Sequence, residues 1–160
     1  MTSFSRRRRE ELFASIARGK GGAAAMLLDP EVLAKAQTKL EALKPTATAE
    51  IRRAIDSART MADERTDPDQ IFATVHDIKG LAGAYGFASV GVLAGAIRVY
   101  AESRPPGFQP DWSLIQLLTQ TMARAFEDPA AARPQVLDMC REAVAKVMAR
   151  EGREIPEGAL

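Results

Sequence analysis

Apolar residues recur at intervals of three and four positions along most of the chain, which is the spacing of one face of an α-helix. Alternating apolar and polar runs, which are typical of strands, are missing. Prolines and glycines divide the pattern into segments, so the sequence predicts an all-α protein. We predict helices over the following ranges: 30–44, 48–66, 68–85, 87–104, 111–127 and 134–151.

The segment borders carry the residues that begin and end helices. Asp67-Pro68 provides an N-cap followed by a proline, and Gly86 suits a left-handed C-terminal cap. Pro45 is predicted to end the first helix, and Thr48 to cap the second. In the first helix, five apolar residues are expected to point inward: Val32, Leu33, Ala36, Leu40 and Leu43.

Four consecutive segments between 48 and 127 are joined by short connections, which favours an antiparallel four-helix bundle. The remaining segments would add an N-terminal and a C-terminal helix. We therefore predict a single helical domain over 29–151 with its bundle core at about 48–127, and a C-terminal tail over 152–160. No segment is apolar over the ~20 residues that a membrane span needs, and we expect a cytoplasmic protein.

Charge is unevenly distributed along the chain. The 160 residues carry a net charge of +1. Six basic and two acidic residues lie among positions 1–20, so residues 1–28 are predicted to form a basic, partly flexible arm. The Arg6–Arg9 run could contact nucleic acid or anionic lipid, but no aromatic residues interleave with it, and nucleic acid is not expected as a partner.

One histidine and one cysteine bear most of the site chemistry that the sequence offers. A structural zinc site needs about four such ligands and a disulfide needs two cysteines, so neither is expected. Cys140 falls on the apolar side of the last helix, which predicts a buried small side chain rather than a reactive thiol. The histidine, His76, is therefore the main chemical candidate.

His76 falls on the polar face of the helix predicted over 68–85. With the apolar face of the helical wheel at zero, His76 lies at about 140°, Gly80 at about 180° and Gly83 at about 120°. Lys79 lies at about 80°, on the flank. Two glycines inside a helix each cost about 0.5–1 kcal/mol relative to alanine. Access of another molecule to the imidazole is one reason for them; close helix packing, with a histidine that has no role, is another.

The residues of segment 71–100, IFATVHDIKGLAGAYGFASVGVLAGAIRVY, closely resemble histidine-containing phosphotransfer (HPt) domains of bacterial phosphorelays. In that family the histidine of an H-x-x-K-G motif is phosphorylated, and a glycine with an apolar residue forms the turn before the next helix. The positions that match are His76, Lys79, Gly80, Gly86 and Phe87. No Gly-rich ATP-binding loop occurs in the sequence.

The resemblance implies a phosphocarrier without its own ATP site, which exchanges a phosphoryl group between His76 and the aspartate of response-regulator receiver domains. Receiver domains, hybrid histidine kinases or both would be its partners. It implies no cofactor in this chain, with Mg²⁺ bound by the receiver domain. Lys79 would offset phosphoryl charge and Gly80 would give access. The implied partner interface comprises Gly83, Asp77, Ala73, Phe72 and Arg98, although Phe72 could equally belong to the core.

Arg98 departs from the family pattern, which often has Glu or Gln 22 positions after the histidine. A carboxylate or amide could accept a hydrogen bond from the imidazole N–H and so orient the ring, whereas a guanidinium only donates. Arg98 could instead hold the phosphoryl group, mark a site that binds a partner without phosphotransfer, or point away. The alternative function is therefore a helical adaptor that binds a receiver domain or another helical partner.

Overall fold

A computed structural model describes residues 30–102 and 104–159 of the chain. Within these residues the protein is all-helical, as the sequence predicts. The helices are α1 (Pro30–Glu64), α2 (Pro68–Tyr85), α3 (Ala88–Glu102), α4 (Trp112–Glu127) and α5 (Pro134–Arg150), with a short 3-10 turn at Pro129–Ala131. None of these helices is long and apolar enough to cross a membrane.

The chain divides into two compact units, residues 1–43 and 44–160. The basic arm predicted over 1–28 lies outside the described residues. In the first unit the structure therefore describes the N-terminal part of α1, and in the second unit it describes the rest of α1 and all the other helices.

Helix α1 passes through Pro45 without ending, so the prediction of two separate helices at this point is wrong. Proline removes one N–H from a helix, but Pro45 is exposed, and a carbonyl without its helical partner can bond water there. Thr48 is not an N-cap. Its hydroxyl donates to the Lys44 carbonyl at 2.7 Å, as threonines inside helices commonly do.

The N-terminal part of α1 exposes its apolar residues. Leu33, Leu40 and Leu43 are 51%, 49% and 54% exposed. Ala36 is exposed as well, and Val32 is half-buried, so the expectation that these five residues point inward is wrong for four of them. Helical periodicity shows that a segment has an apolar face, whereas burial requires a second element against it. In the first unit the described residues form this one helical segment, so they include no such element.

Helix α2 begins and ends at the residues that the sequence predicts. The Asp67 side chain accepts a hydrogen bond from the Asp69 N–H at 2.9 Å, and Pro68 follows as the first helical residue. At the other end Gly86 adopts a left-handed conformation with φ of 85°, which glycine reaches at no steric cost. The sharp turn that follows brings the chain directly into α3.

In the second unit, the part of α1 after Leu43 packs with α2, α3 and α4 in antiparallel order, and apolar residues of all four helices form one core. Three cross-helix contacts establish the order: Arg52 with Glu127 (3.3 Å), Asp69 with Arg104 (2.7 Å), and Phe87 with Phe126 (ring centroids 5.0 Å apart). The largest fully buried side chains include Ile51, Ile71, Ile78, Leu93, Ile97, Ile115, Leu118 and Met122.

Helix α5 packs against α3 and α4 as a fifth helix, and a polar cluster fastens the chain after it. The fully buried Tyr100 donates its hydroxyl hydrogen to Glu151 at 2.8 Å and accepts from the Asp111 N–H at 2.8 Å. Burial raises the pKa of Tyr100. The Arg153 guanidinium lies 4.9 Å from the ring centre of Tyr100 and 4.8 Å from that of Phe108.

Candidate functional site

His76 lies on the solvent-facing side of α2, where the helical wheel predicts it. The opposite face supplies the core residues Ile71, Val75, Ile78 and Ala82. No hydrogen bond or ion pair joins His76 to any other residue that the structure describes. The imidazole is therefore accessible to a partner, and its orientation is set by no neighbour within this part of the chain.

Gly80 and Gly83 are exposed on the same side of α2 as His76. A Cβ added at either position would meet no atom within 4 Å. Close packing against a second helix is therefore not the reason for these glycines in the described residues. The two glycines cost the helix about 0.5–1 kcal/mol each. They leave a smooth surface beside the imidazole.

Lys79 lies across the seam between α2 and α3. Its Nζ is 3.8 Å from the point where a side chain at Gly95 would begin, so the absence of that side chain leaves room for the lysine stem. The residue is half-buried, and no acidic side chain among the described residues pairs with it. An unpaired ammonium group one helical turn from His76 is well suited to an anion near the imidazole.

Arg98 lies level with His76 on the neighbouring helix. Lys79 faces Gly95 across the antiparallel pair of helices α2 and α3. His76 lies three residues before Lys79 and Arg98 lies three residues after Gly95, so both lie at the same height along the pair. The Arg98 Nη1 lies 3.0 Å from Glu102 Oε1, along its own helix. Both side chains are substantially exposed, so this pair contributes only about 0–1 kcal/mol and a phosphoryl group could displace Glu102.

The Arg98 side chain also has a polar atom without a partner, as does the Arg153 side chain. The Arg98 Nε is buried and has no hydrogen-bond partner. The guanidinium is therefore incompletely satisfied within the described protein.

Three other residues expected at the partner interface differ in exposure. Ala73 and Asp77 are exposed, as a docking surface requires. Phe72 is only 9% exposed and belongs to the core, which corrects its assignment to the interface. The Arg104 guanidinium covers the Phe72 ring at 5.0 Å from its centre, which explains the burial at a position near the edge of the apolar face.

The structure also shows a groove of about 360 Å³ that the sequence analysis missed. Helix α3 forms its floor through Gly91 and Gly95, Lys79 and Gly83 line the α2 side, and Arg141 of α5 lines the far side. We call this the α3 groove. Two glycines one turn apart inside a predicted helix were a signal in the sequence, but the position of Arg141 depends on how α5 packs.

Comparison with known proteins identifies the family. The family model of the Hpt domain matches residues 30–147, which is well over half of the chain. No curated protein and no solved structure matches the chain. Given the length of this match and the helical bundle that carries the exposed histidine, the chain belongs to the Hpt domain family, whose members are phosphocarriers that act in histidine phosphotransfer in phosphorelays.

Proposed function

We propose that this protein is a phosphocarrier that accepts a phosphoryl group on His76 from the aspartate of a response-regulator receiver domain and donates it to another. One observation carries the assignment. His76 is the only histidine in the sequence, and it is exposed, unpaired within the described residues and flanked by glycines with open space around them.

The step that we propose is an in-line displacement at phosphorus. An unprotonated ring nitrogen of His76 supplies the electron pair of the new P–N bond. The P–O bond to the partner's aspartate breaks, and its electron pair stays on the aspartate carboxylate. The reverse step restores the acyl phosphate on a receiver domain. The receiver's own Mg²⁺ offsets the phosphoryl charge, because phosphoryl transfer depends on positioning and electrostatic stabilisation.

The contributions of this chain are charge and access. The ammonium group of Lys79, which has no ion-pair partner among the described residues, can approach phosphoryl oxygens on the adjacent imidazole and stabilise their charge. Gly80 and Gly83 let the backbone of the partner approach within contact distance of the ring. The exposed residues Ala73 and Asp77 extend this docking surface towards the N-terminus of α2.

A second function, a helical adaptor without phosphotransfer, is favoured by the residue level with the histidine. Arg98 cannot accept a hydrogen bond from an imidazole N–H, and none of the described residues takes that role. A receiver domain could then bind the same surface without transferring its phosphoryl group. The carrier remains the preferred function because His76 is exposed and neither His76 nor Lys79 has a hydrogen-bond or ion-pair partner among the described residues.

The two functions are separated by measuring binding and transfer on the same proteins. Receiver domains encoded in the same genome are phosphorylated with acetyl phosphate and Mg²⁺, then mixed with wild type and with His76→Gln. The carrier predicts phosphate uptake by wild type, no uptake by the variant and equal binding by both. Binding without uptake by wild type would establish the adaptor. Because His76 is exposed, the substitution should change stability by less than about 0.5 kcal/mol.

A further inference from the structure

The near wall of the α3 groove lies within the area that a partner seated on His76 covers. Gly83 is seven residues beyond His76 on the same side of α2, which corresponds to about 10 Å along the helix. A standard protein interface buries about 800 Å² on each partner, which is a disc of roughly 16 Å radius. A receiver centred on His76 therefore reaches the near wall of the groove.

The floor of the groove is more open than packing of the helices requires. A Cβ at Gly91 would meet Ala82 Cβ at 3.9 Å, and one at Gly95 would meet Lys79 at 3.8 Å, both ordinary contact distances. Alanine would therefore fit at both positions and stabilise α3 by about 0.5–1 kcal/mol at each. The glycines keep a space free that the fold itself does not need.

Cations line both sides of the groove, and none of the described residues that line it is acidic. On the near side Lys79 is unpaired among the described residues. On the far side Arg141 lies 3.0 Å from Asp138 on its own helix, and both side chains are partly exposed, 38% and 63%. An exposed pair of this kind contributes about 0–1 kcal/mol, so Arg141 can exchange Asp138 for a carboxylate of a partner.

We propose that the α3 groove receives an acidic segment of the receiver domain that docks on His76, and that Arg141 of the fifth helix helps to select which receiver binds. The inference rests on the proposed function, since it takes the receiver as the occupant. Complementary charge at the edge of an interface acts mainly on partner choice and association rate. Arg141 is accordingly a specificity residue outside the four helices that carry the histidine site.

The test compares two charge reversals on the same helix. Arg141→Glu changes the groove, whereas Lys146→Glu makes the same change in net charge at an exposed position of α5 that does not line it. Binding is measured by calorimetry against the isolated receiver domains encoded in the same genome. At 0.1 M salt Arg141→Glu should raise the Kd of the cognate receiver about tenfold, and Lys146→Glu less than about twofold.

Salt and shape provide independent readouts. The tenfold difference should largely vanish at 1 M salt, where the screening length falls to about 3 Å. The double variant Gly91→Ala/Gly95→Ala should fold more stably than wild type and still bind the receiver more weakly, because two methyl groups narrow the groove. A gain in stability with unchanged binding would show that no segment enters the groove.

The outcomes separate this inference from the proposed function. If receivers bind wild type but transfer no phosphate, the phosphocarrier assignment fails while the comparison of Arg141→Glu with Lys146→Glu still decides the role of the groove. If transfer occurs and the two reversals weaken binding equally, the groove proposal is overturned and the carrier stands. If no receiver binds wild type, both proposals are wrong.

Discussion

Replacing Gly80 and Gly83 by alanine is expected to make the protein more stable and, at the same time, a poorer phosphocarrier. Both glycines lie inside α2, and a Cβ added at either would meet no atom within 4 Å. Alanine should therefore gain its full advantage in helix propensity, about 0.5–1 kcal/mol at each site. Together the two substitutions should raise the free energy of unfolding by about 1–2 kcal/mol.

The stability gain is measurable by urea denaturation. With an m-value of about 2 kcal/mol/M, the midpoint should rise by roughly 0.5–1 M urea. Gly86→Ala is the matched control on the same helix. Because Gly86 has φ of 85°, alanine there should lower stability by about 1–2 kcal/mol. Replacing glycine by alanine should thus raise the free energy of unfolding at Gly80 and Gly83 and lower it at Gly86.

The loss of function follows from distance. Two methyl groups beside His76 would hold the partner's phosphoaspartate away from the imidazole, and a misplacement of about 1 Å can cost roughly 100-fold in rate. We expect the double alanine variant to accept phosphate at least about tenfold more slowly than wild type in rapid-quench assays. A variant that is less stable, or one that transfers at the wild-type rate, would show that these glycines do not serve access to His76.

Four further predictions concern individual side chains. Lys79→Gln should slow phosphate uptake by about ten- to a hundredfold with unchanged thermal stability. Lys79→Arg, which keeps the charge, should retain most of the rate. Equal losses of rate in the two variants would exclude a charge effect. Tyr100→Phe leaves Glu151 and the Asp111 N–H without this partner and should cost about 1–3 kcal/mol in denaturant melts; no loss would refute the role of the cluster. Burial raises the pKa of Cys140 and of Tyr100, so the folded state holds these protons more tightly than the unfolded state. Stability should therefore fall as the pH rises above the ordinary pKa values of the unfolded state, about 8.5 for the Cys140 thiol and about 10 for the Tyr100 phenol. Melting temperatures measured from pH 7 to 11 check this, and their fall with pH should be shallower in Tyr100→Phe. The Cys140 thiol should react with disulfide reagents only as fast as the protein opens.

The limits of α2 and the exposure of its histidine could be predicted from sequence because local chemistry determines them. Asp67-Pro68 begins the helix through a side-chain cap, and Gly86 ends it through a conformation that other residues avoid. The position of His76 on the polar face follows from helical geometry alone. Cys140 is confirmed as buried for the same reason, since its segment has a clear apolar stripe.

Features that depend on what packs against a segment could not be predicted. Pro45 predicts a break when the local chain is considered alone, but α1 continues through it, since at this exposed position water can bond the carbonyl that loses its helical partner. The periodicity of Leu33 and Leu40 indicates an apolar face, but it does not show whether another element covers that face. The ion pair of Arg98 with Glu102 depends on side-chain rotamers, and the place of Arg141 beside the α3 groove depends on helix packing. The spacing of residues along the sequence encodes neither.

The site of phosphorylation is the most direct test of the central claim. Wild-type protein is incubated with a phosphorylated receiver domain, quenched in alkali, and analysed by mass spectrometry with fragmentation that preserves phosphoramidates. We expect one phosphoryl group, located on His76, stable in base and lost in acid. A protein that takes up no phosphate from any receiver, or one that carries it on another residue in an acid-stable form, would contradict the account.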